Sequence, residues 1–141
     1  MLDKEFVATC VSMGNPHAVI ILEDIDEFDI EKYGKEIEND PKFPNKVNVE
    51  FIKIEDRKHV KMRVWERGSG ETWACGTGAC SAVVAGALNE MLDRNVTVKL
   101  VGGNLQIEWK EEDNHIYMTG PAVTVFDGSL YEENIVQNER D

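Results

Sequence analysis

Residues 76–92 form the segment that most constrains the fold, because their apolar side chains leave no continuous polar face. A helix on the surface of a protein exposes one polar side, whereas a helix that is apolar all round is buried. Segments rich in β-branched residues lie before and after this stretch. The pattern predicts one α+β domain in which a curved, mostly antiparallel β-sheet or barrel wraps around a central buried helix.

The flanking segments supply the sheet and one further helix. Apolar residues between Ile30 and Ile37 follow the i, i+3, i+4, i+7 spacing of an amphipathic helix, which we predict over 29–39. Gly102-Gly103 suits a two-residue turn between paired strands. Composition and alternation predict strands at 6–13, 17–22, 47–54, 59–66, 96–101, 104–110, 115–119 and 122–126.

Length and charge restrict the class of protein. The 141 residues suffice for one domain with a substantial core, which we assign to 1–130, followed by a polar, acidic tail at 131–141. The net charge of −12 argues against a nucleic acid or an anionic membrane as partner. No apolar run approaches the roughly 20 residues that span a bilayer, and the N-terminus lacks the apolar region of a signal peptide. We therefore expect a cytoplasmic protein.

The cysteine and histidine patterns do not indicate a disulfide framework or a metal site. The three cysteines have unrelated spacings, and the three histidines are scattered. Cys75 and Cys80, five residues apart, would point about 140° away from each other on a helix. We expect no metal.

Residues 66–80 carry the strongest functional signal in the chain. A glycine-rich turn containing Cys75 leads directly into the apolar helix. Unpaired N–H groups at a helix N-terminus bind anions, and they lower the pKa of a thiol from roughly 8.5 toward neutrality. A soft base beside a carboxylate-binding turn suits removal of a proton from the α-carbon of an amino acid. The alternative interpretation is a structural cysteine in a glycine-rich turn.

Two further clusters carry weaker signals. Residues 14–17, Gly-Asn-Pro-His, form a turn between two predicted strands, and by themselves they favour a structural role. In the second cluster, Asn48 interrupts a predicted strand, where asparagine is disfavoured. Asn48 is therefore either a ligand contact or a solvent-facing residue.

Together these segments resemble the diaminopimelate epimerase family. The motifs at 13–19, 45–51 and 64–80 match the C-terminal half of that enzyme in order and spacing, and the resemblance extends to about Leu130. It implies a cofactor-independent isomerase that interconverts LL- and meso-2,6-diaminopimelate on the route to lysine and the bacterial cell wall. It also implies two similar domains, each a curved sheet around a central helix, with the active site between them.

The resemblance further implies a mechanism with two cysteines, one from each domain, on opposite faces of the substrate α-carbon. One removes the proton as a thiolate and the other delivers a proton as a thiol, without metal or pyridoxal phosphate. By position, Cys75 matches the base toward the LL isomer. Glu66 matches the acid that partners this thiol, and His17 matches the partner of the opposite cysteine.

Six positions match substrate-binding residues of the family, and Glu66, the partner of the Cys75 thiol, is one of them. Asn15, Asn48 and Arg67 match side chains that hold the distal carboxylate and so distinguish its stereocentre. Gly76 and Thr77 match backbone donors to the carboxylate at the reacting centre. A planar guanidinium suits a bidentate contact with a carboxylate, and preorganised N–H donors suit charge that develops during proton removal.

The N-terminal half of the family, with its own cysteine, has no counterpart in this sequence. We interpret Cys10 and Cys80 as small core residues that react only after unfolding, and we expect the isolated chain to be inactive. The expected partners are diaminopimelate and the missing N-terminal domain, and a homodimer is a further expectation. The alternatives are a related isomerase of the same fold, of the proline racemase or phenazine-biosynthesis type, and a non-catalytic binding module.

Overall fold

The computed structural model describes residues 3–131, which contain two helices and eight strands. The helices are α1 (Ile30–Glu38) and α2 (Gly76–Leu88). The strands are β1 (Ala8–Ser12), β2 (Pro16–Ile21), β3 (Asn48–Asp56), β4 (His59–Glu66), β5 (Gly70–Thr72), β6 (Asn95–Leu100), β7 (Gly103–Trp109) and β8 (Ile116–Thr119).

All eight strands belong to one curled sheet of the half-barrel type. Its order is β1-β2-β3-β4-β6-β7-β8, and the short β5 pairs with the end of β4. The pairs β2–β3 and β4–β6 are parallel, and the remaining pairs are antiparallel. The predicted fold class, a curved and mostly antiparallel sheet around a central helix, is confirmed.

The sheet separates two apolar cores, because alternate residues of a strand face opposite sides. Along β4, Val60, Met62 and Val64 pack with α2 in the inner core, while Trp65 packs with α1 in the outer core. A Cβ atom at Gly34 of α1 would lie 2.5 Å from Cγ of Trp65, so only glycine lets this helix approach the sheet so closely. The central strands are therefore buried on both faces.

Several predicted boundaries shift for identifiable reasons. Helix α2 ends at Leu88 and not at the predicted residue 92. Asn89 caps this end by donating its backbone N–H to the carbonyl of Ala85. The turn between β6 and β7 consists of residues 101 and 102, because Gly103 already pairs with Leu100. The three-residue strand β5 was not predicted, since so short a segment carries little periodicity.

The predicted strand at 122–126 is wrong. Residues 120–131 adopt no regular structure, and Val125 and Phe126 are 89% and 82% exposed. A strand needs a neighbour for its backbone hydrogen bonds, and the described residues provide none for this segment. Except for Tyr131, the predicted tail at 131–141 lies outside the described residues. Within residues 3–131, no helix is both long and apolar enough to cross a membrane.

Candidate active site

Cys75 is the N-cap residue of α2, at the point where the loop after β5 enters the buried helix. Its Sγ accepts a hydrogen bond from the backbone N–H of Gly78 at 3.3 Å and lies 3.7 Å from Oγ1 of Thr77. The backbone N–H groups of Gly76 and Thr77 belong to the first helical turn, which offers them no carbonyl partner. A thiol and two backbone donors therefore share one end of the helix.

The predicted lowering of the Cys75 pKa is wrong for the chain described here. Burial raises the pKa of this thiol above its ordinary value, and the nearby Glu66 and Glu50 carboxylates raise it further. The hydrogen bonds from Gly78 and Thr77 act in the opposite direction but do not outweigh the burial. Cys75 is only 9% exposed, so the thiolate loses most of its hydration.

Glu66 lies at the end of β4, close enough to Cys75 to affect its pKa. The hydroxyl of Thr72 donates a short hydrogen bond to the Glu66 carboxylate. The hairpin formed by β4 and β5 produces this contact, because Glu66 pairs with Gly70 and places Thr72 two residues further along. Glu66 is thus held at the rim of the site by its own hairpin.

His17 lies in the inner core and connects a buried carboxylate to the site. Its Nδ1 is 2.6 Å from Oε1 of Glu50, and its Nε2 is 3.2 Å from Oδ1 of Asn15. Asn15 in turn donates from Nδ2 to Oγ1 of Thr77 at 3.3 Å. A continuous set of contacts therefore joins Glu50 to the Cys75 sulfur.

Sequence reasoning did not single out Glu50 as a functional residue. The signal was present, because Glu50 is a carboxylate between Val49 and Phe51 in an otherwise apolar strand. By strand alternation it faces the same side as Asn48 and Ile52, toward α2. A functional role for Glu50 depends on its contact with His17, and the parallel pairing of β2 and β3 brings these two residues together.

Asn48 is buried and joins the beginning of β2 to the turn after β4. Its Nδ2 donates to the Pro16 carbonyl at 3.0 Å, and its Oδ1 accepts the backbone N–H of Arg67 at 2.8 Å. The exposed Arg67 guanidinium donates to the carbonyl of Asn45 at 3.1 Å. The structure therefore brings Asn48 and Arg67 together, but the Arg67 side chain contacts the 39–47 loop and not the Cys75 cluster.

The turn that carries Arg67 is anchored to α1 by Glu38. The Glu38 carboxylate accepts hydrogen bonds from Nε1 of Trp65 at 2.8 Å and from the backbone N–H of Gly68 at 2.9 Å. Burial raises the pKa of Glu38, but these two hydrogen bonds, with Lys46 nearby, outweigh it and leave the pKa below its ordinary value. An ionised Glu38 thus fixes the turn beside the site.

Of the other two cysteines, only Cys10 differs from the prediction of a core residue. Cys10 lies on the edge strand β1 with its side chain exposed, so its interpretation as a core residue is wrong. Cys80 is partly buried against the inner core, and burial raises its pKa. All three cysteines are free. Among residues 3–131, no three His, Cys, Asp or Glu side chains are grouped as metal ligands.

Comparison with known proteins identifies close relatives of this chain. The family model described as diaminopimelate epimerase matches residues 9–125. A diaminopimelate epimerase from Acetivibrio thermocellus is 58% identical over 127 residues, which are 90% of this chain and 45% of the relative. One from Methanococcus maripaludis is 56% identical over 137 residues, with 92% and 50% coverage. The chain spans about half the length of these relatives and matches their C-terminal half.

Solved structures share the fold at lower sequence identity. A phenazine biosynthesis protein of the PhzF family from Bacillus anthracis superimposes with a TM-score of 0.55 at 20% identity, covering 80% of this chain and 38% of that one. A PhzF-family protein from Enterococcus faecalis gives 0.53 at 19% identity, covering 76% and 40%. At this identity the likeness concerns the fold alone.

Proposed function

This chain belongs to the diaminopimelate epimerase family, and we propose that it forms one half of a cofactor-independent epimerase acting on LL- and meso-2,6-diaminopimelate. In this proposal Cys75 is the base that removes the α-proton of the LL isomer. A cysteine from the complementary N-terminal half delivers a proton to the opposite face. The reaction would serve lysine and cell-wall precursor synthesis in the cytoplasm.

The observation that carries the proposal is the position of Cys75 at the N-terminus of α2. An α-proton of an amino acid is very weakly acidic, so negative charge that develops on the adjacent carboxylate must be stabilised. The N–H groups of Gly76 and Thr77 are available there, and they are preorganised by the helix. Base and carboxylate donors therefore come from consecutive residues, as proton removal next to a carboxylate requires.

The raised pKa of Cys75 is compatible with this role, because a thiolate of higher pKa is a stronger base. The thiol must first lose its proton, and Glu66 is the nearby carboxylate that we assign to this step. We assign His17 to the cysteine of the opposite half. Asn15, Asn48 and Arg67 would bind the distal carboxylate of the substrate, although Arg67 would have to exchange its Asn45 contact for it.

A complementary half is part of the proposal, since two-sided proton transfer needs a second thiol. Cys10 is exposed on β1, and Cys80 lies inside α2 beyond Cys75, so neither faces the Cys75 sulfur across an open cleft. The exposed apolar residues of 120–131 indicate a surface that another polypeptide covers. The isolated chain should therefore be inactive.

The direct test is α-proton exchange of LL-diaminopimelate in D₂O, followed by NMR in the presence of reductant. We expect exchange only when the chain is mixed with the N-terminal half of a family member. Cys75→Ala should lower the rate by about 10²- to 10⁴-fold, the usual contribution of a positioned acid or base. Cys10→Ala is the matched control and should leave the rate unchanged.

Two alternatives give different outcomes in the same experiment. A binding module would form the complex with the N-terminal half but show no exchange. An isomerase of the same fold with another substrate would show no exchange with diaminopimelate but would exchange an α-proton of a different acid. The paired amides Asn15 and Asn48 with Arg67 favour a substrate that has a second charged amino-acid end.

A further inference from the structure

Glu50 is a buried carboxylate to which the proposed mechanism gives no role. It lies on β3 with no exposed surface and faces the first turn of α2, where a Cβ atom at Gly78 would be 2.8 Å from its Oε1. Burying a carboxylate is strongly unfavourable unless it is paired. Its Oε1 contacts His17, whereas its Oε2 has no hydrogen-bond partner among the described residues.

The contacts of His17 determine which of its ring nitrogens carries a hydrogen. Asn15 donates from Nδ2 to Thr77, so its Oδ1 is the atom that faces Nε2 of His17. An amide oxygen only accepts hydrogen bonds, so with the Asn15 amide in this orientation Nε2 donates and carries a hydrogen.

The other side of the imidazole requires a second proton. Nδ1 and Oε1 of Glu50 are 2.6 Å apart, a separation at which two bare lone pairs would repel each other. One proton must lie between them, bonded to Nδ1 or to the carboxylate. The pair thus holds two protons in total, one between the partners and one on Nε2, and its net charge is zero.

We propose that Glu50 is a positioning residue whose shared proton with His17 fixes the direction of the hydrogen-bond chain that ends at Cys75. With Nε2 donating, the Asn15 amide is held with its oxygen toward His17 and its nitrogen toward Thr77. Oγ1 of Thr77 then accepts from Asn15, which leaves the hydroxyl hydrogen of Thr77 for the Cys75 sulfur, 3.7 Å away. A donor aimed at sulfur favours the thiolate, the form that the proposed function needs.

The hydrogen bonds between His17 and Cys75 can all reverse their direction if the His17–Glu50 pair loses one proton. His17 would then keep a hydrogen only on Nδ1, the Asn15 amide would turn over to donate to Nε2, and Thr77 would donate to Asn15 and not to Cys75. The titratable groups facing the pair from other elements are Glu66 of β4 and Cys75 of α2. The neighbours of His17 on β1 and β3 are Val11 and Asn48, which do not titrate.

The first test reads the ring nitrogens directly in the ¹⁵N-labelled chain by long-range ¹H–¹⁵N correlation at neutral pH. His59 and His115, with side chains 44% and 75% exposed, are reference signals, and His17→Gln assigns the third. We expect Nε2 of His17 to be protonated. An unprotonated Nε2 with a hydrogen on Nδ1 alone would overturn the inference.

The second test measures the pKa of Cys75 from the pH dependence of its alkylation. A glutamine can face Nδ1 of His17 with either its oxygen or its nitrogen, so in Glu50→Gln the Thr77 hydroxyl loses its fixed direction toward the sulfur. Losing this hydrogen bond should raise the pKa of Cys75 by more than removal of the Glu50 charge lowers it, because that charge is the smaller of the two effects. Glu66→Gln removes an unpaired negative charge near the same sulfur and should lower that pKa, which makes it the matched control. A lowered pKa of Cys75 in Glu50→Gln would show that Glu50 acts on the sulfur only through its charge and would contradict the positioning role.

The third test interrupts the series of hydrogen bonds that links His17 to Cys75. Thr77→Val and Asn15→Ala should each reduce the alkylation rate of Cys75 at fixed pH by roughly two- to tenfold, as expected for one net hydrogen bond. The double variant should lose no more than Thr77→Val alone, because both act through the same hydroxyl. If the losses of alkylation rate in the two single variants add up in the double variant, Asn15 and Thr77 do not act through one series of hydrogen bonds.

A role of the Thr77 hydroxyl in catalysis rests on the proposed function, whereas the proton shared by His17 and Glu50 does not. All three measurements use the chain alone and need no epimerase activity. Failure of the NMR test would leave the epimerase proposal standing. Absence of exchange in the reconstituted mixture would leave the shared proton standing.

Discussion

The protonation of the Cys75 thiol decides whether the isolated chain can act as a base. Burial and two neighbouring carboxylates raise its pKa, so the isolated chain keeps it protonated at neutral pH. A substrate ammonium group near Glu66 would offset part of that negative charge. The thiolate is therefore expected to form mainly in the assembled, substrate-bound site.

This protonation state predicts the order in which the cysteines react. Iodoacetamide should modify the exposed Cys10 at least about tenfold faster than Cys75 at neutral pH, because the thiolate is the nucleophile and Cys75 is buried. Peptide mass spectrometry over a time course measures both rates. The rate at Cys75 should keep rising with pH beyond the value at which an exposed thiol levels off.

The control is Cys10→Ser, in which the modification of Cys75 should proceed unchanged. Equal rates at Cys10 and Cys75 in the folded chain would contradict the burial of the Cys75 thiol.

The position of Cys75 could be predicted from sequence, but its pKa could not. The Gly-Thr-Gly run after Cys75 marks the N-terminus of an apolar helix, and the structure has Cys75 as its N-cap. The direction of the pKa shift depends on how the sheet buries this helix end. It also depends on Glu50, which tertiary folding brings close to it.

At the scale of elements, the contact between α1 and the turn after β4 positions Glu66 and Arg67. Glu38→Gln should destabilise the chain by about 2–3 kcal/mol, because a carboxylate that accepts two hydrogen bonds becomes an amide that can accept only at its oxygen. Urea unfolding measures the difference. Glu36→Gln, on the same helix, removes a charge without touching these contacts and should change stability little.

The effect of Glu38→Gln should depend on pH in a defined direction. The pKa of Glu38 in the folded chain lies below its unfolded value of about 4.3, so its stabilisation is complete above that value. As pH falls through the lower folded pKa, the stabilisation is lost, and the difference between wild type and variant should shrink. A difference that stays constant down to low pH would contradict an ionised Glu38 anchor.

Both helices and seven of the eight strands could be predicted from sequence, whereas the short β5, the pairing of the strands and some boundaries could not. Helical spacing between Ile30 and Ile37 and the apolar run after Cys75 identified both helices. The strand predicted at 122–126 failed because β-propensity reports a tendency, and a strand forms only beside a partner. The parallel pairing of β2 with β3, which joins His17 to Glu50, leaves no local signal in the sequence.

At the scale of the whole molecule, the segment 120–131 carries exposed apolar side chains, and we propose that the complementary half packs against it. Val125→Asp should weaken assembly with the N-terminal half at least about tenfold, because a charge would enter an apolar interface. It should leave the thermal midpoint of the chain alone unchanged. Titration of one half with the other, followed by calorimetry, measures the affinity.

Asp127→Asn, in the same exposed segment, is the control and should assemble normally. Unchanged affinity in Val125→Asp would show that this segment lies outside the interface.

In the proposed mechanism, Cys75 supplies one of two thiols acting on opposite faces of the α-carbon. The most direct measurement follows LL-diaminopimelate in D₂O with the chain and the N-terminal half of the Acetivibrio thermocellus relative, early in the reaction. We predict that the meso product carries deuterium at the inverted α-carbon, while the remaining LL substrate keeps its hydrogen. Deuterium appearing equally in substrate and product would indicate a single base and contradict the two-thiol mechanism.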